Sequence, residues 1–549
     1  MPSTKIAAAT RNGDDFRLFD KTSDTILRTR DLCTLGLGLG CILSLTLILT
    51  GSLIINAKGV KAPVNLTRLE FMSNFYSHFY RPGDSIPTFQ RICQLPKGIS
   101  VLLTLLLNLL VTAVLDSINY IQAMTLRWTL FHENRMKFNS KIRLLTCSKS
   151  NGPNSWYFNI ISGIALAISH GAMSSIMRDA NIEGRLEKGD FHKVSSSSNF
   201  VIFNLIAIIA LGVGILIQVC ISTYSLLYKG MVLTWSNNLL ANATALHQAQ
   251  GSQVKDSVML PAIKSQDSML KVAPQIWVTR YLMWGLCGIF SIWSLGQGIF
   301  VHLNDYPMHS KIKWDPSPLR YWKFYGAMWT NFYSISDTDN LTALLGLLVQ
   351  VILQSFLAFA LHCLELLFNL SRDEAVWRNM ETVGSSPNPS AISNLSRYGF
   401  MLTFIKASIH WIFGYALSAD LTFNISLLPI IALAVVFMLL TGYTEYMIRT
   451  NPKGSIPTTY GNFQGVLGLV DEWNHPRLFW GDKGELGPGL RRAGTAGEAL
   501  PDLQSGKLYC CFQGIEYERD KRILNLKEDY ISQQDPDLAI EVGIESTSL

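Results

Sequence analysis

The sequence is poor in charge. Only 16% of its 549 residues are Asp, Glu, Lys or Arg, against about 25% in soluble domains, which argues against an ordinary soluble globule. It has no basic patch either. The net charge of +6 is small for this length, and Lys and Arg flank apolar runs instead of clustering, so a nucleic-acid binder is excluded. The chain holds no GxSxG, no HExxH, no Walker loop and no CxxC or Cys/His set spaced for zinc. No enzyme, catalytic residue or cofactor is therefore foreseen. The nine cysteines lack a framework pattern. Cys33, Cys41, Cys220, Cys287 and Cys363 lie in apolar runs as small hydrophobes, Cys93 and Cys147 stand alone, and Cys510 and Cys511 are adjacent.

What is abundant is apolar sequence. Hydrophobic residues make up 48% of the chain, and its mean hydropathy is +0.22. Eight runs are long enough to cross a hydrocarbon core: Leu32–Ile55, Ile99–Ile118, Trp156–Ile176, Asn199–Leu227, Tyr281–Val301, Leu341–Phe368, Tyr398–Ser418 and Asn424–Tyr443. Backbone in lipid must satisfy its own hydrogen bonds. The predicted fold class is therefore all-α, a polytopic transmembrane helical bundle of about eight spans, with a cytosolic tail carrying a short amphipathic helix. The first run follows a stretch of mixed charge (Asp14, Asp15, Arg17, Asp20, Lys21) and is too long for a signal-peptide core. Within it, "LGLGLG" puts Gly36 and Gly40 in the small-xxx-small spacing of close helix packing, not in a nucleotide loop.

Four regions are expected: a cytosolic N-terminal tail (1–31), the bundle (32–447), an ordered cytosolic or interfacial segment (448–500) and an acidic, disordered end (501–549). Loop charge sets the orientation. Arg127, Arg135, Lys137, Lys141, Arg143 and Lys149 face a single acid, Glu133, after the second span, which puts that loop and both termini in the cytosol. Sequons do not arbitrate: Asn65, Asn340 and Asn424 fall outside, while Asn242, Asn369 and Asn394 fall inside. Two aromatic stretches, "EFMSNFYSHFY" (Glu70–Tyr80) and "LRYWKFYGAMWTNFY" (Leu319–Tyr333), belong to odd-numbered loops and read as interfacial helices, with a lid over a ligand cavity as the sharper alternative. Residues 244–275 and 382–396 read as linkers. In the tail, Phe463, Val466, Leu467, Val470 and Trp473 share one helical face, fitting an interfacial helix on the inner leaflet or against the bundle. The glycines from Gly484 to Gly497 are expected to break regular structure.

Ionisable residues inside the spans are the candidate site, because a charge at membrane depth costs about 2.5–3.5 kcal/mol or more. Gln350, Gln354 and Glu365 share one stripe of the sixth span, with His362 beside Glu365. Thr403, Lys406, His410 and Gly414 share one stripe of the seventh. The helices run antiparallel and Lys406 leans towards the level of Glu365, so the two can pair. Asp116 in the second span and His170 in the third are further intramembrane ionisable residues. A "HCLE" pair at His362 and Glu365 has no second copy, and no metal is assigned to it.

Several blocks, among them "DSINYIQAMTLRWTLFHENRMKFNSKIRLL", "LTWSNNLLANATAL", "PTTYGNFQGVLGLVDEW", "RLFWGDKGE" and "GLRRAGTAGEALPDL", resemble blocks in a group of multi-pass membrane proteins of filamentous fungi. The resemblance implies a multi-span membrane protein with an ordered tail segment. It carries no activity and no catalytic residue.

The functional expectation is a non-enzymatic integral membrane protein with a structural, scaffolding or receptor-like role. The alternative is a carrier or channel using a polar path between the sixth and seventh spans. The expected partner is the lipid bilayer, with protein partners and a homo-oligomer left open, as are plasma membrane and endomembrane. No inverted repeat is apparent between the halves.

Overall fold

The computed structural model describes residues 24–56, 90–95, 99–180, 199–228, 232–250, 258–261, 266–303, 339–387, 397–419, 423–425, 427–487 and 489–511. The two aromatic stretches, most of the N-terminal tail, residues 388–396 and residues 512–549 lie outside them.

Eight helices of twenty residues or more form the bundle: α1 (Asp24–Asn56), α2 (Ile99–His132), α3 (Trp156–Ser175), α4 (Leu205–Leu227), α7 (Ile276–Leu303), α8 (Asp339–Arg378), α9 (Arg397–Ala416) and α10 (Leu427–Arg449). Between and after them lie the short helices α5 (Leu239–Gln250), α6 (Met269–Val272) and α11 (Phe463–Leu469). The strands are β1 (Gln90–Leu95), β2 (Met177–Ala180), β3 (Asn199–Asn204), β4 (Val258–Pro261), β5 (Leu417–Ala419), β6 (Phe423–Ile425), β7 (Phe479–Gly487), β8 (Leu490–Ala496) and β9 (Leu508–Cys511).

Among the described residues, six of the eight long helices are apolar and long enough to cross a membrane: α1, α2, α4, α7, α8 and α10. The other two, α3 and α9, are twenty-residue helices that carry histidines. Leu and Ile side chains cover the outside, with Leu39, Ile42, Leu106, Ile292, Leu295 and Leu439 among those exposed. That outward apolar surface has no counterpart on a soluble monomer.

The bundle has two four-helix halves, each with its own core, and Leu347 of α8 reaches into the core of the first. One core joins α2, α3 and α4 around Leu115, Ile118, Leu166 and Ile215. The other joins α7, α8, α9 and α10 around Phe290, Leu364, Phe413 and Phe437. Each half runs three long helices, a strand pair and a fourth helix, with β2–β3 in the first and β5–β6 in the second, and the first half adds β1, between its first two helices and paired with β3. Packing partners repeat as well. Helix α1 lies on α4 as α7 lies on α10, α3 lies on α4 as α9 lies on α10, and the halves meet through α3 with α8 and α2 with α9. Exchanging the halves maps this pattern onto itself, as in a parallel repeat whose two-fold axis runs along the helices. Gly36 and Gly40 face α2, where an added Cβ would meet Ser117 at 2.7 Å and Ile118 at 3.1 Å.

The tail corrects the all-α expectation. Strands β4, β9, β8 and β7 form one sheet in that order, with β8 and β9 parallel and the other pairs antiparallel. The glycines that read as breakers are used where other groups approach. A Cβ on Gly494 would sit 2.7 Å from the Asp471 carboxylate, and one on Gly481 would sit 2.5 Å from the Pro501 carbonyl oxygen. Residues 244–275 likewise are not simply linker, since α5 and β4 fall there.

The amphipathic helix is shorter than expected, and of its two expected placements the structure shows the one against protein. Helix α11 ends at Leu469, and Phe463, Val466, Leu467, Val470 and Trp473 are all buried with Leu239, Leu240, Trp377, Trp480 and Tyr509. Its apolar face is turned to protein, not to lipid. Asn242 is fully buried, its amide donating to Asn139 Oδ1 at 2.8 Å, so no glycan fits there.

Candidate functional site

The ionisable residues singled out in the sequence converge where the two halves meet. On α9, Lys406 Nζ donates to Glu365 Oε2 of α8 at 2.8 Å and to Asp116 Oδ1 of α2 at 3.1 Å. Thr403, one turn before it, donates to Asp116 Oδ2 at 2.7 Å. His362 lies 3.6 Å from Glu365 Oε2. The Lys406 side chain is 5% exposed and that of Glu365 40%, so the cluster opens on the Glu365 side.

One turn further along α9, His410 Nδ1 is 2.7 Å from Gln354 Oε1. The His410 ring lies flat against His170 of α3, centroids 3.8 Å apart and planes 9° from parallel. Beyond them, Gln350 Nε2 donates to Ser174 Oγ at 3.0 Å and to the Leu417 carbonyl at 3.2 Å. From Glu365 to Gln350 this column follows fifteen residues of α8, about 22 Å at 1.5 Å per residue.

All eight intramembrane residues singled out in the sequence thus belong to one column. Asp116 and His170, which the sequence leaves apart from the main cluster, are its contributions from α2 and α3. Within it one ammonium faces two carboxylates.

The repeat explains the convergence. The same separation along the chain relates Asp116 to Glu365 and Trp128 to Trp377, and a second separation relates His170 to His410 and Ser174 to Gly414. The two histidines touch each other, and a Cβ on Gly414 would sit 2.9 Å from Ser174 Cβ. Contacts between equivalent residues occur only around a two-fold axis, so the imidazole pair marks it. Lys406 breaks the symmetry, since the corresponding residue of α3 is Leu166.

A second polar network was not legible in the sequence. Gln122 of α2 donates to Ser222 of α4 at 2.8 Å, Ser162 of α3 donates to Gln218 of α4 at 2.8 Å, and Arg143 reaches Gln122, Asn119 and Ser162. The lone Gln218 within a wholly apolar run was the available signal.

At its C-terminal end, α8 clamps the tail. Glu374 accepts from the amides of Thr459 and Tyr460 at 3.0 and 2.8 Å, and Glu381 accepts from Ser455 Oγ at 2.8 Å. Trp377 donates to the Pro457 carbonyl at 2.7 Å, as its equivalent Trp128 donates to the Thr234 carbonyl at 2.8 Å.

Among the described residues no set of three His, Cys, Asp or Glu side chains is arranged to hold a metal ion. The fold defines a polytopic helical membrane protein. Beyond that class, the chain matches no protein-family model, no curated protein and no solved structure.

Proposed function

We propose that the protein is a non-enzymatic carrier or channel for a small solute or ion, with its path along the column between the two halves. The observation that carries this reading is the column itself. A lock between helices needs only Lys406 and its two carboxylates, yet the polar residues continue through stacked histidines and two glutamines. Gln350 Oε1 and Gln354 Nε2 are buried without a protein partner, an arrangement that demands explanation in a bundle core and that a polar occupant would satisfy. Sites at the junction of repeated halves are the rule among helical transporters. We further infer eight spans, with both chain ends, the basic loop after α2 and the tail sheet on the cytosolic face. The blocks shared with fungal multi-pass proteins support the class and add no activity.

The experiment is flux across vesicles containing the purified full-length protein, with gradients of protons, alkali cations and small neutral solutes in turn. Movement above the protein-free rate supports the reading. A folded protein that moves none of them removes it. Epitope tags placed in residues 1–23 and 512–549 should need permeabilisation before antibody reaches them, and surface labelling would overturn the orientation.

A second reading, a membrane-anchored scaffold, is favoured by the tail clamp at Glu374, Trp377 and Glu381, which ties a sheet domain rigidly to the bundle. Its distinguishing result is a protein without flux whose tail sheet still melts together with the bundle.

A further inference from the structure

The strongest feature left unexplained by a generic path is the imidazole pair on the two-fold axis. Each half contributes one histidine from its third helix, and the two rings stack at 3.8 Å. With the amide oxygen of Gln354 turned to the ring, His410 Nδ1 carries the proton of that hydrogen bond. Nε2 of His410 is then the atom with a free lone pair.

The groups around the pair are of known sign. From α2 comes Asp116, from α8 His362, Glu365 and the neutral Gln354, and from α9 itself Lys406. The fixed charges are two carboxylates against the Lys406 ammonium and the Arg143 guanidinium, which bonds Ser162 on the His170 helix, so the surroundings are balanced with the pair neutral. The pair has room for a single proton, taken up and passed on. A second would place two imidazolium rings face to face, where like charges repel most strongly.

We propose that His170 and His410 together form a one-proton site on the axis between the halves, and that the proton is an ion this protein moves. The inference rests on the carrier reading and names its cargo. In the transfer, water on the Glu365 side of the cluster, where that side chain is 40% exposed, gives a proton to its carboxylate. The carboxyl passes that proton into the column to the lone pair of an imidazole nitrogen, and the carboxylate returns to its pairing with Lys406. The imidazolium then releases the proton from its other nitrogen to water entering at the Gln350 end. There, among the described residues, only amide, hydroxyl and carbonyl groups line the column. A ring flip restores the first tautomer. No bond other than N–H and O–H forms or breaks, and no electron changes hands.

The test uses the full-length protein in vesicles of phosphatidylcholine and phosphatidylglycerol with a pH-sensitive dye inside and a valinomycin-clamped potassium potential as driving force. Wild-type protein should acidify the lumen faster than protein-free vesicles do. Two variants remove the proton site while keeping its packing. His410→Gln retains an amide to bond Gln354, and His170→Phe retains a ring to stack. Each should fall to the protein-free rate with an unchanged elution volume and melting temperature. Should either variant fail to fold, the other decides. Proton flux that persists at the wild-type rate in a folded variant overturns the imidazole site and leaves the carrier reading standing. Wild-type vesicles that move alkali cations or neutral solutes but no protons remove the proton as cargo. Wild-type vesicles that move nothing at all remove the carrier reading itself.

Discussion

At the scale of single residues, Lys406 has more partners than its helix predicts. Its ammonium is shared by Glu365 and Asp116, so Lys406→Met strands two carboxylates at once. Loss of one partner from a fully buried pair costs about 3–5 kcal/mol, and the cost here is smaller because Glu365 is 40% exposed. The melting temperature in detergent should fall for Lys406→Met. It should recover only partly when Glu365→Gln is added, and further when Asp116→Asn completes the set. Strictly additive losses would show the three to be uncoupled.

Glu133 makes a different prediction. Burial disfavours its charge, but hydrogen bonds from Ser148 and Ser150 and from Arg135 outweigh that and hold its carboxyl down from 4.5 to about 2. A depressed carboxyl contributes stability that is present above its unfolded value and is lost as pH falls towards the folded one. Wild type should therefore melt above Glu133→Gln at neutral pH, and the gap should close as pH is lowered from 4.5 towards about 2. A gap independent of pH would contradict the assignment.

At the scale of elements, helix contacts hinge on where Cβ atoms can sit. Gly171 of α3 faces Val351 of α8, and an added Cβ would lie 2.5 Å from the Val351 Cα. The backbone itself must move, so Gly171→Ala should destabilise by about 1–3 kcal/mol. Gly442 of α10 has nothing within 4 Å of such a Cβ, and Gly442→Ala should be neutral or stabilise by up to about 1 kcal/mol, the helix-propensity difference. Paired melting curves check both, and equal effects would show that the α3–α8 approach is not as close as described. The α3–α8 contact also shows what was legible: the apolar runs mark both helices, but nothing in their composition says that they touch. The tail sheet is the counterpart. Strands β7 and β8 alternate poorly and contain several glycines, whose use depends on Asp471 and Pro501, groups distant or offset along the chain.

For the whole molecule, the question is whether bundle and tail fold as one. Glu374 and Glu381 each accept backbone amides of the 455–460 loop, at 2.8–3.0 Å for Glu374 and 2.5 Å for Glu381. Removing both acceptors leaves donors unpaired at about 1–3 kcal/mol each. Glu374→Ala with Glu381→Gln should split a single calorimetric transition into two, with the sheet melting first and becoming sensitive to protease. One unchanged transition would mean that the buried cluster around Trp377, Trp480 and Tyr509 suffices to couple them.

The sequence by itself determined the class: long apolar runs, scarce charge and a polar stripe on each of two successive spans require a helical membrane protein with an intramembrane polar cluster, because lipid leaves backbone and charge no other partner. It also marked every titratable member of that cluster. Tertiary structure alone decided that Asp116 and His170 join Lys406 and His410, since which face of α2 and α3 meets α8 and α9 depends on packing between segments hundreds of residues apart. It alone decided the repeat, because matches as sparse as Asp116 with Glu365, Trp128 with Trp377 and His170 with His410 acquire meaning only when the helix contacts repeat as well. And it alone turned the face of α11 from lipid to protein, because an apolar stripe states what must be buried and leaves open what buries it.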